Sequence, residues 1–359
     1  MRLLVSGGGT GGHIYPALAL ARHVLACEPE SEVLFIGTAD GLESKIIPAE
    51  GFFLETISAR GYPRRLTKLV PVIKESISGT FQVRKIIKDF KPQVVVGTGG
   101  YVSAPVVLAA AINRVPAVIH EQNAIPGMAN RYLAPLASRI CLSFESSRIY
   151  FRSSKKTVVT GNPRSSEAAS YSKAQGRKRF NLHPDHPVVV AFGGSRGALK
   201  LNRVITEYLS SGWWLPNVQL IYVAGEIYYR QVKEQLSVLP PNISLFPYLQ
   251  EMPAALAAAD LVITRSGATT LAEITALGIP AILVPSPNVV DNHQHYNARV
   301  MADCGAAILI EERELTAYRL RKELSSLLSN ADLLNKMGQA SRNLGIVDSA
   351  DRVYRCLQQ

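Results

Sequence analysis

Short apolar runs, mostly β-branched, recur along the chain at residues 3–6, 33–36, 94–97, 117–120, 188–192, 220–223, 261–264 and 281–284. Most do not alternate with polar positions, which is the pattern of parallel strands covered on both faces. Between them the period becomes helical. Ile14, Leu18, Ala21 and Leu25 mark one apolar stripe, and Pro16 falls in the first turn, where a missing N–H costs nothing. This alternation predicts an α/β fold built on doubly wound parallel sheets.

The pattern starts twice. Residues 2–6 lead into Gly7-Gly8-Gly9-Thr10-Gly11-Gly12-His13, and residues 188–192 lead into Gly193-Gly194-Ser195-Arg196-Gly197. Between them, residues 161–187 are polar, basic and rich in Ser, Asn and Pro, and read as a connector with a first helix. Two Rossmann-like domains of similar size follow, with a hinge near Asn162-Pro163, and the length of 359 residues suits two domains. A last helical pattern, residues 347–357, has no strand after it and can cap either domain.

Composition narrows the classes. A hydrophobic share of 47% with 19% charged residues is ordinary for a core-forming chain. Lys and Arg number 39 against 28 Asp and Glu, a net +11, which favours an anionic partner. Four cysteines without a C-x-x-C pair argue against a zinc site or a disulfide framework and fit a reducing compartment. The uncharged run 92–113 is broken by glycines and Pro105, and falls short of the roughly 20 residues of a membrane span. The first residues lack a signal-peptide core. A cytoplasmic protein that meets a membrane only from its surface is expected.

Four strand-to-helix turns carry candidate chemistry. Gly7-x-Gly9-x-x-Gly12 formally matches a dinucleotide fingerprint, but the second strand runs into Gly37-Thr38 with no acid to hold a ribose. Five glycines around Thr10 exceed what a bare turn needs, and suit a shelf of backbone N–H groups. Gly193 to Gly197 forms a second shelf with the Ser195 hydroxyl. Arg265-Ser266-Gly267-Ala268 is a third, with Glu273 about one turn into the helix, either against ribose hydroxyls or in solvent. Asp291-Asn292-His293-Gln294 is a fourth, either ligand-facing or a helix cap. No D-x-D pair occurs. Asp291, His293 and His295 alternate along one helix and so point different ways, which is no metal cluster.

Residues 60–91 hold nine cations (Arg60, Arg64, Arg65, Lys68, Lys74, Arg84, Lys85, Lys88, Lys91) against Glu75 and Asp89, or 9 − 2 = +7. Leu66, Leu69, Ile73, Ile77 and Phe81 are interleaved. Cations beside an apolar strip suit an anionic bilayer surface, with Lys68, Lys74, Ile77, Phe81 and Arg84 as its contacts. The alternative is an amphipathic helix packed on the sheet. Nucleic acid is not expected, because stacking aromatics are sparse there.

Seven motifs occur in one order: Gly8-Gly9-Thr10-Gly11-Gly12-His13-x-x-Pro16, Gly99-Gly100-Tyr101-Val102-Ser103-x-Pro105, His120-Glu121-Gln122-Asn123, Gly161-Asn162-Pro163, Gly193-Gly194-Ser195-x-Gly197-Ala198, Arg265-Ser266-Gly267-Ala268 and His293-Gln294-x-x-Asn297-Ala298. Together they closely resemble the MurG family, the peptidoglycan N-acetylglucosaminyltransferases that convert the first lipid-linked intermediate into the second. The resemblance covers essentially the whole chain. It implies a GT-B fold of two Rossmann-like domains facing a cleft. Residues 1–162 would take the lipid acceptor and face the membrane, with 343–359 packing back on them, and 163–342 would bind UDP-N-acetylglucosamine.

The resemblance also implies roles. Ser195 would contact phosphate, Glu273 the ribose, the backbone near Leu249 the uracil, and Gln294 with His293 beside it the sugar hydroxyls, while Arg265 belongs to the donor site. Thr10, Gly11, Gly12, His13, Tyr101, His120, Glu121 and Asn123 would line the acceptor side with Gly99 and Gly100. Of these, Thr10, Gly11, Gly12 and Asn123 could also reach the donor. The family often reads Gly-Asn-Pro-x-Arg. Here Arg164 directly follows Pro163 and Ser165 takes the usual Arg position, so either residue is a candidate for that donor contact.

The implied reaction is inverting transfer to the C4 hydroxyl of the undecaprenyl-diphosphate-linked N-acetylmuramyl-pentapeptide, at the cytoplasmic face of the membrane and without a metal. His13 is the candidate base, because an unperturbed imidazole titrates near ~6.5. His120 and Glu121 are its rivals. Other readings are a UDP-N-acetylglucosamine 2-epimerase of the same fold, a nucleotide-sugar sensor and an NAD-binding protein, the last disfavoured by the absent acid after strand two.

Overall fold

The computed structural model describes residues 1–61, 69–152, 154–194, 197–236 and 238–359, with the backbone alone at 69–73 and 154. Two compact units divide the chain: residues 1–164 with 348–359, and residues 165–347.

The first unit runs β1 (Arg2–Ser6), α1 (Gly11–Cys27), β2 (Glu32–Gly37), α2 (Glu43–Ala49), β3 (Phe53–Thr56), α3 (Leu69–Phe90), β4 (Val94–Gly97), α4 (Ser103–Ile112), β5 (Ala117–Glu121), α5 (Met128–Leu133), β6 (Arg139–Leu142) and β7 (Thr157–Val159). The second runs from α6 (Arg164–Ala168), whose first residue still belongs to the first unit, through α7 (Lys173–Arg179), β8 (Val188–Phe192), α8 (Leu199–Ser210), β9 (Gln219–Val223), α9 (Glu226–Gln235), β10 (Ile243–Phe246), α10 (Met252–Ala258), β11 (Leu261–Thr264), α11 (Ala268–Leu277), β12 (Ala281–Leu283), α12 (His293–Asp303), β13 (Ala307–Leu309), α13 (Ala317–Leu328) and α14 (Ala331–Leu344). The last helix, α15 (Ser349–Leu357), belongs to the first unit.

The strand pairs are parallel, and the orders are β3-β2-β1-β4-β5-β6-β7 and β10-β9-β8-β11-β12-β13. The doubly wound architecture expected from the apolar pattern is therefore present in both units. Leu3 pairs with Val33 on one side and Val94 on the other, and Val190 with Ile221 and Val262. These central strands are wholly buried beyond Arg2, and each buried Leu, Val or Ile stabilises the fold by about 1.5–3 kcal/mol. In each sheet the order reverses beside the first strand, between β1 and β4 and between β8 and β11. Such switch points open a crevice at the carboxyl ends of the strands, where ligands of this architecture bind.

Five strands carry no apolar run that marks them in the sequence: β3, β6, β7, β10 and β13. They are only three or four residues long, and β3, β7, β10 and β13 lie at sheet edges. An edge strand with a solvated face carries no continuous apolar run. The pattern at 347–357 becomes α15. Its Val353, Cys356 and Leu357 are buried against Leu18 and Ala21 of α1 and Cys141 of β6. Tyr354 donates its hydroxyl hydrogen to Glu28 Oε1 at 2.5 Å, and Glu28 Oε2 accepts from the Met1 amino group at 2.8 Å.

Candidate active site

The two units each present loops at their switch points. In the first, Gly7 to Thr10 follow β1 and Thr98 to Tyr101 follow β4. Gly9 has φ +81°, and a Cβ there would stand 2.9 Å from the Tyr101 ring, so only glycine lets the two loops meet. Thr98 Oγ1 donates to the carbonyl of His13 at 2.8 Å, tying the first turn of α1 to the end of β4. Thr10 is the N-cap of α1 without capping through its side chain. Its Oγ1 lies 3.2 Å from His13 Nδ1 instead. Thr10 and Gly12 are exposed at this helix start, which carries the positive end of the α1 dipole.

His13 is partly exposed, and its ring lies over Gly99 and Gly100. Its Nδ1 is 3.0 Å from the Gly8 carbonyl oxygen. A carbonyl only accepts, so Nδ1 carries the hydrogen and Nε2 is the acceptor nitrogen of the ring.

His120 and Glu121 were expected as rival bases, but the structure places both inside the fold. His120 is 1% exposed. Its Nε2 donates to the Gly161 carbonyl at 2.9 Å, and its Nδ1 accepts from Gln122 Nε2 at 3.1 Å. Burial holds this imidazole down to about 4. Both nitrogens are engaged, so the residue positions rather than reacts. Glu121 is equally buried. Its Oε1 accepts from Asn123 N at 2.9 Å and Asn123 Nδ2 at 3.2 Å, and its Oε2 from Gly127 N at 3.1 Å and Asn130 Nδ2 at 2.8 Å. Burial raises its pKa against these four bonds. Glu121 thus shapes the loop that carries Asn123. The Tyr101 hydroxyl lies 3.2 Å from Thr38 Oγ1.

At the connector, Asn162 Oδ1 accepts from Arg164 N at 3.1 Å, and the Arg164 guanidinium lies 5.6 Å from the Tyr15 ring centre. Ser165 is 1% exposed and donates its hydroxyl to the Ala272 carbonyl at 3.3 Å. Of the two candidates for the donor contact, Ser165 is turned into its own unit.

In the second unit, Gly193 and Gly194 follow β8, and Ser195 lies outside the described residues. Arg265, expected at the donor, is spent internally. Its Nη1 donates to the carbonyls of Val284 at 3.0 Å and Pro285 at 3.1 Å, and its Nη2 pairs with Glu312. It fixes the end of β11 to the end of β12. Gln294 Oε1 accepts from Ser286 N at 2.9 Å, the Gln294 carbonyl accepts from Ser266 Oγ at 2.7 Å, and Asn297 Nδ2 donates to the Ser266 carbonyl at 3.2 Å. The start of α12 is thereby locked to the loop before α11. Asp291 (φ 53°) and Asn292 (φ 50°) are consecutive left-handed residues just before α12, a strained backbone of the kind that gathers at functional sites. His293 Nδ1 donates to the Val290 carbonyl at 2.8 Å. Glu273 is 5% exposed on α11, and Leu249 lies between β10 and α10, at the carboxyl end of the sheet.

Among the described residues, no group of three or more His, Cys, Asp or Glu is placed to hold a metal ion, and no helix is long and apolar enough to cross a membrane. On α3, Val83 and Ile87 are buried while Ile77 and Phe81 are 54% and 62% exposed. The Arg84 guanidinium lies 5.8 Å from the Phe81 ring centre, and Lys74 is exposed. The helix therefore packs on the sheet with one face and shows apolar side chains on another. Lys68 lies outside the described residues.

Gln122 and Ser266 stand in the sequence only as members of motifs, without a role of their own, and neither Glu43 nor Glu312 carries a signal there.

The models of the glycosyltransferase family 28 N-terminal and C-terminal domains match residues 3–142 and 188–353. The UDP-N-acetylglucosamine–N-acetylmuramyl-(pentapeptide) pyrophosphoryl-undecaprenol N-acetylglucosamine transferase of Caldanaerobacter subterraneus is 44% identical, over 100% of this chain and 99% of its own. A crystal structure of Acinetobacter baumannii MurG superposes with a TM-score of 0.77 at 28% identity, over 99% of each chain. A UDP-GlcNAc 2-epimerase from Neisseria meningitidis, bound to UDP-GlcNAc, shares the fold alone, with a TM-score of 0.68 at 14% identity over 100% of each chain. The chain belongs to glycosyltransferase family 28, within the MurG family that its ordered motifs resemble.

Proposed function

We infer that the chain transfers N-acetylglucosamine from UDP-N-acetylglucosamine to the undecaprenyl-diphosphate-linked N-acetylmuramyl-pentapeptide. One observation carries this: 44% identity, spread over the whole chain, to an enzyme named for that reaction. The switch-point loops and helix starts of each unit supply the groups it needs.

The acceptor's C4 hydroxyl attacks the anomeric carbon from the face opposite UDP. A carbon–oxygen bond forms there while the bond to the phosphate oxygen breaks, its electron pair leaving with UDP, and a β-1,4 linkage results. The hydroxyl proton goes to His13 Nε2, the acceptor nitrogen once Nδ1 donates to Gly8. The second unit holds the donor. Helix starts at α8 and α11 and the Ser195 hydroxyl meet the charge of the leaving diphosphate without a metal. Glu273, the backbone near Leu249, and Gln294 with His293 hold ribose, base and sugar.

The acceptor is borne by a lipid, so the first unit works against the anionic cytoplasmic face of the membrane. The exposed Ile77 and Phe81, flanked by Lys74 and Arg84, support this reading. The test is incubation with UDP-N-acetylglucosamine, with and without the lipid-linked pentapeptide. UDP release only with the lipid is expected. Sugar isomerisation without lipid would instead make the chain an epimerase.

A further inference from the structure

Glu43 opens α2, yet it is 0% exposed. A buried carboxylate is costly unless hydrogen-bonded. Its Oε1 accepts from Thr38 N at 3.1 Å and Thr38 Oγ1 at 2.8 Å, and its Oε2 accepts from Gly9 N at 3.0 Å. Glycines make the room. A Cβ on Gly8 would stand 2.6 Å from Oε1, and one on Gly37 2.5 Å from Cγ, while one on Gly41 would collide with the carboxylate outright.

The Gly9 amide and the Gly8 carbonyl belong to one peptide unit. In a trans peptide they point in opposite directions, and no cis bond occurs among the described residues. The carbonyl end receives the Nδ1 hydrogen of His13 at 3.0 Å. A carboxylate, a peptide plane and an imidazole therefore stand in series. Negative charge at the amide end polarises the peptide and strengthens its carbonyl as an acceptor. That favours the imidazolium His13 becomes on taking a proton, and it fixes the ring's tautomer.

We propose that Glu43 is a positioning residue for His13, acting through the single peptide unit between Gly8 and Gly9. This rests on the reading of His13 as the group that takes the acceptor's proton. Titratable groups that face His13 include Glu43, through that peptide, and His120 from β5.

The test compares the full chain with Glu43→Gln, which keeps the volume but turns a side-chain amide toward the Gly9 amide. His13 is followed by NMR titration, and kcat is measured against pH. In the variant the His13 titration midpoint falls by about half a pH unit or more, because the carboxylate no longer favours the charged ring. The rising limb of kcat moves to lower pH with it, kcat drops about ten-fold or more, and the KM for UDP-N-acetylglucosamine stays within about two-fold. An unmoved titration midpoint overturns the proposal, whether kcat holds or falls. If Glu43→Gln fails to fold, Thr38→Val, which removes the hydroxyl holding Oε1, decides in its place. It shifts both readouts the same way by less, and unmoved readouts overturn the proposal. A wild-type chain that shows the titration difference from Glu43→Gln but transfers no sugar would sink the functional reading and leave the coupling intact.

Discussion

His120 Nε2 donates to the carbonyl of Gly161 across 2.9 Å, linking the end of β5 to the segment after β7 within the first unit. Burial favours the neutral ring and holds its pKa near 4 against an ordinary 6.5. The unfolded chain takes up this proton near pH 6.5, the folded chain only near pH 4. The stability tied to His120 is therefore whole above pH 6.5 and is lost as the pH falls to about 4, a change of roughly 3 kcal/mol. Urea unfolding between pH 7 and pH 4 checks this. The slope should flatten in His120→Gln, and parallel curves for the two proteins would refute the assignment.

His13→Ala should lower kcat about 10²–10⁴-fold, the range of a lost general base. UDP-N-acetylglucosamine affinity, measured by calorimetry, should hold, because the proposed donor anchors Glu273, Leu249 and Gln294 lie in the second unit. Turnover near the wild-type value would remove His13 from the proton step.

Phe81→Glu and Ile77→Glu should weaken binding to vesicles of anionic lipid about ten-fold or more, since each removes an exposed apolar contact and adds a repelled charge. Both side chains are already exposed, so the melting temperature should barely move. Unchanged vesicle binding would leave the outer face of α3 without this role.

If helix starts meet the diphosphate charge as proposed, turnover should survive prolonged treatment with a chelator. Loss of activity restored by magnesium would mean that a cation shares that task.

Local pattern and site were legible to different depths. β1, β4, β8 and β11 stood out because strands buried on both faces read as unbroken apolar runs, and the glycine turns that follow them marked both switch points. β7 and β13, three residues each, have too few positions to show a period. The candidate site was legible as motifs but not as roles. His120 and Glu121 looked reactive because their residue types are, and only burial and bonding reveal them as internal supports. Arg265 looked like a donor-site residue, but its partner Glu312 is 47 residues away and leaves no local signal. Glu43 meets Gly9 across 34 residues for the same reason.

Helix α15 has a consequence for biogenesis. The ribosome delivers β1 to β7 first, then the whole of residues 165–347, and only afterwards the segment that covers Leu18, Ala21 and Cys141. Throughout that interval the earlier-made unit carries an open apolar face. Its closure waits on residues 348–359, so a nonsense codon just upstream of Ser349 would damage a part of the molecule made well before it.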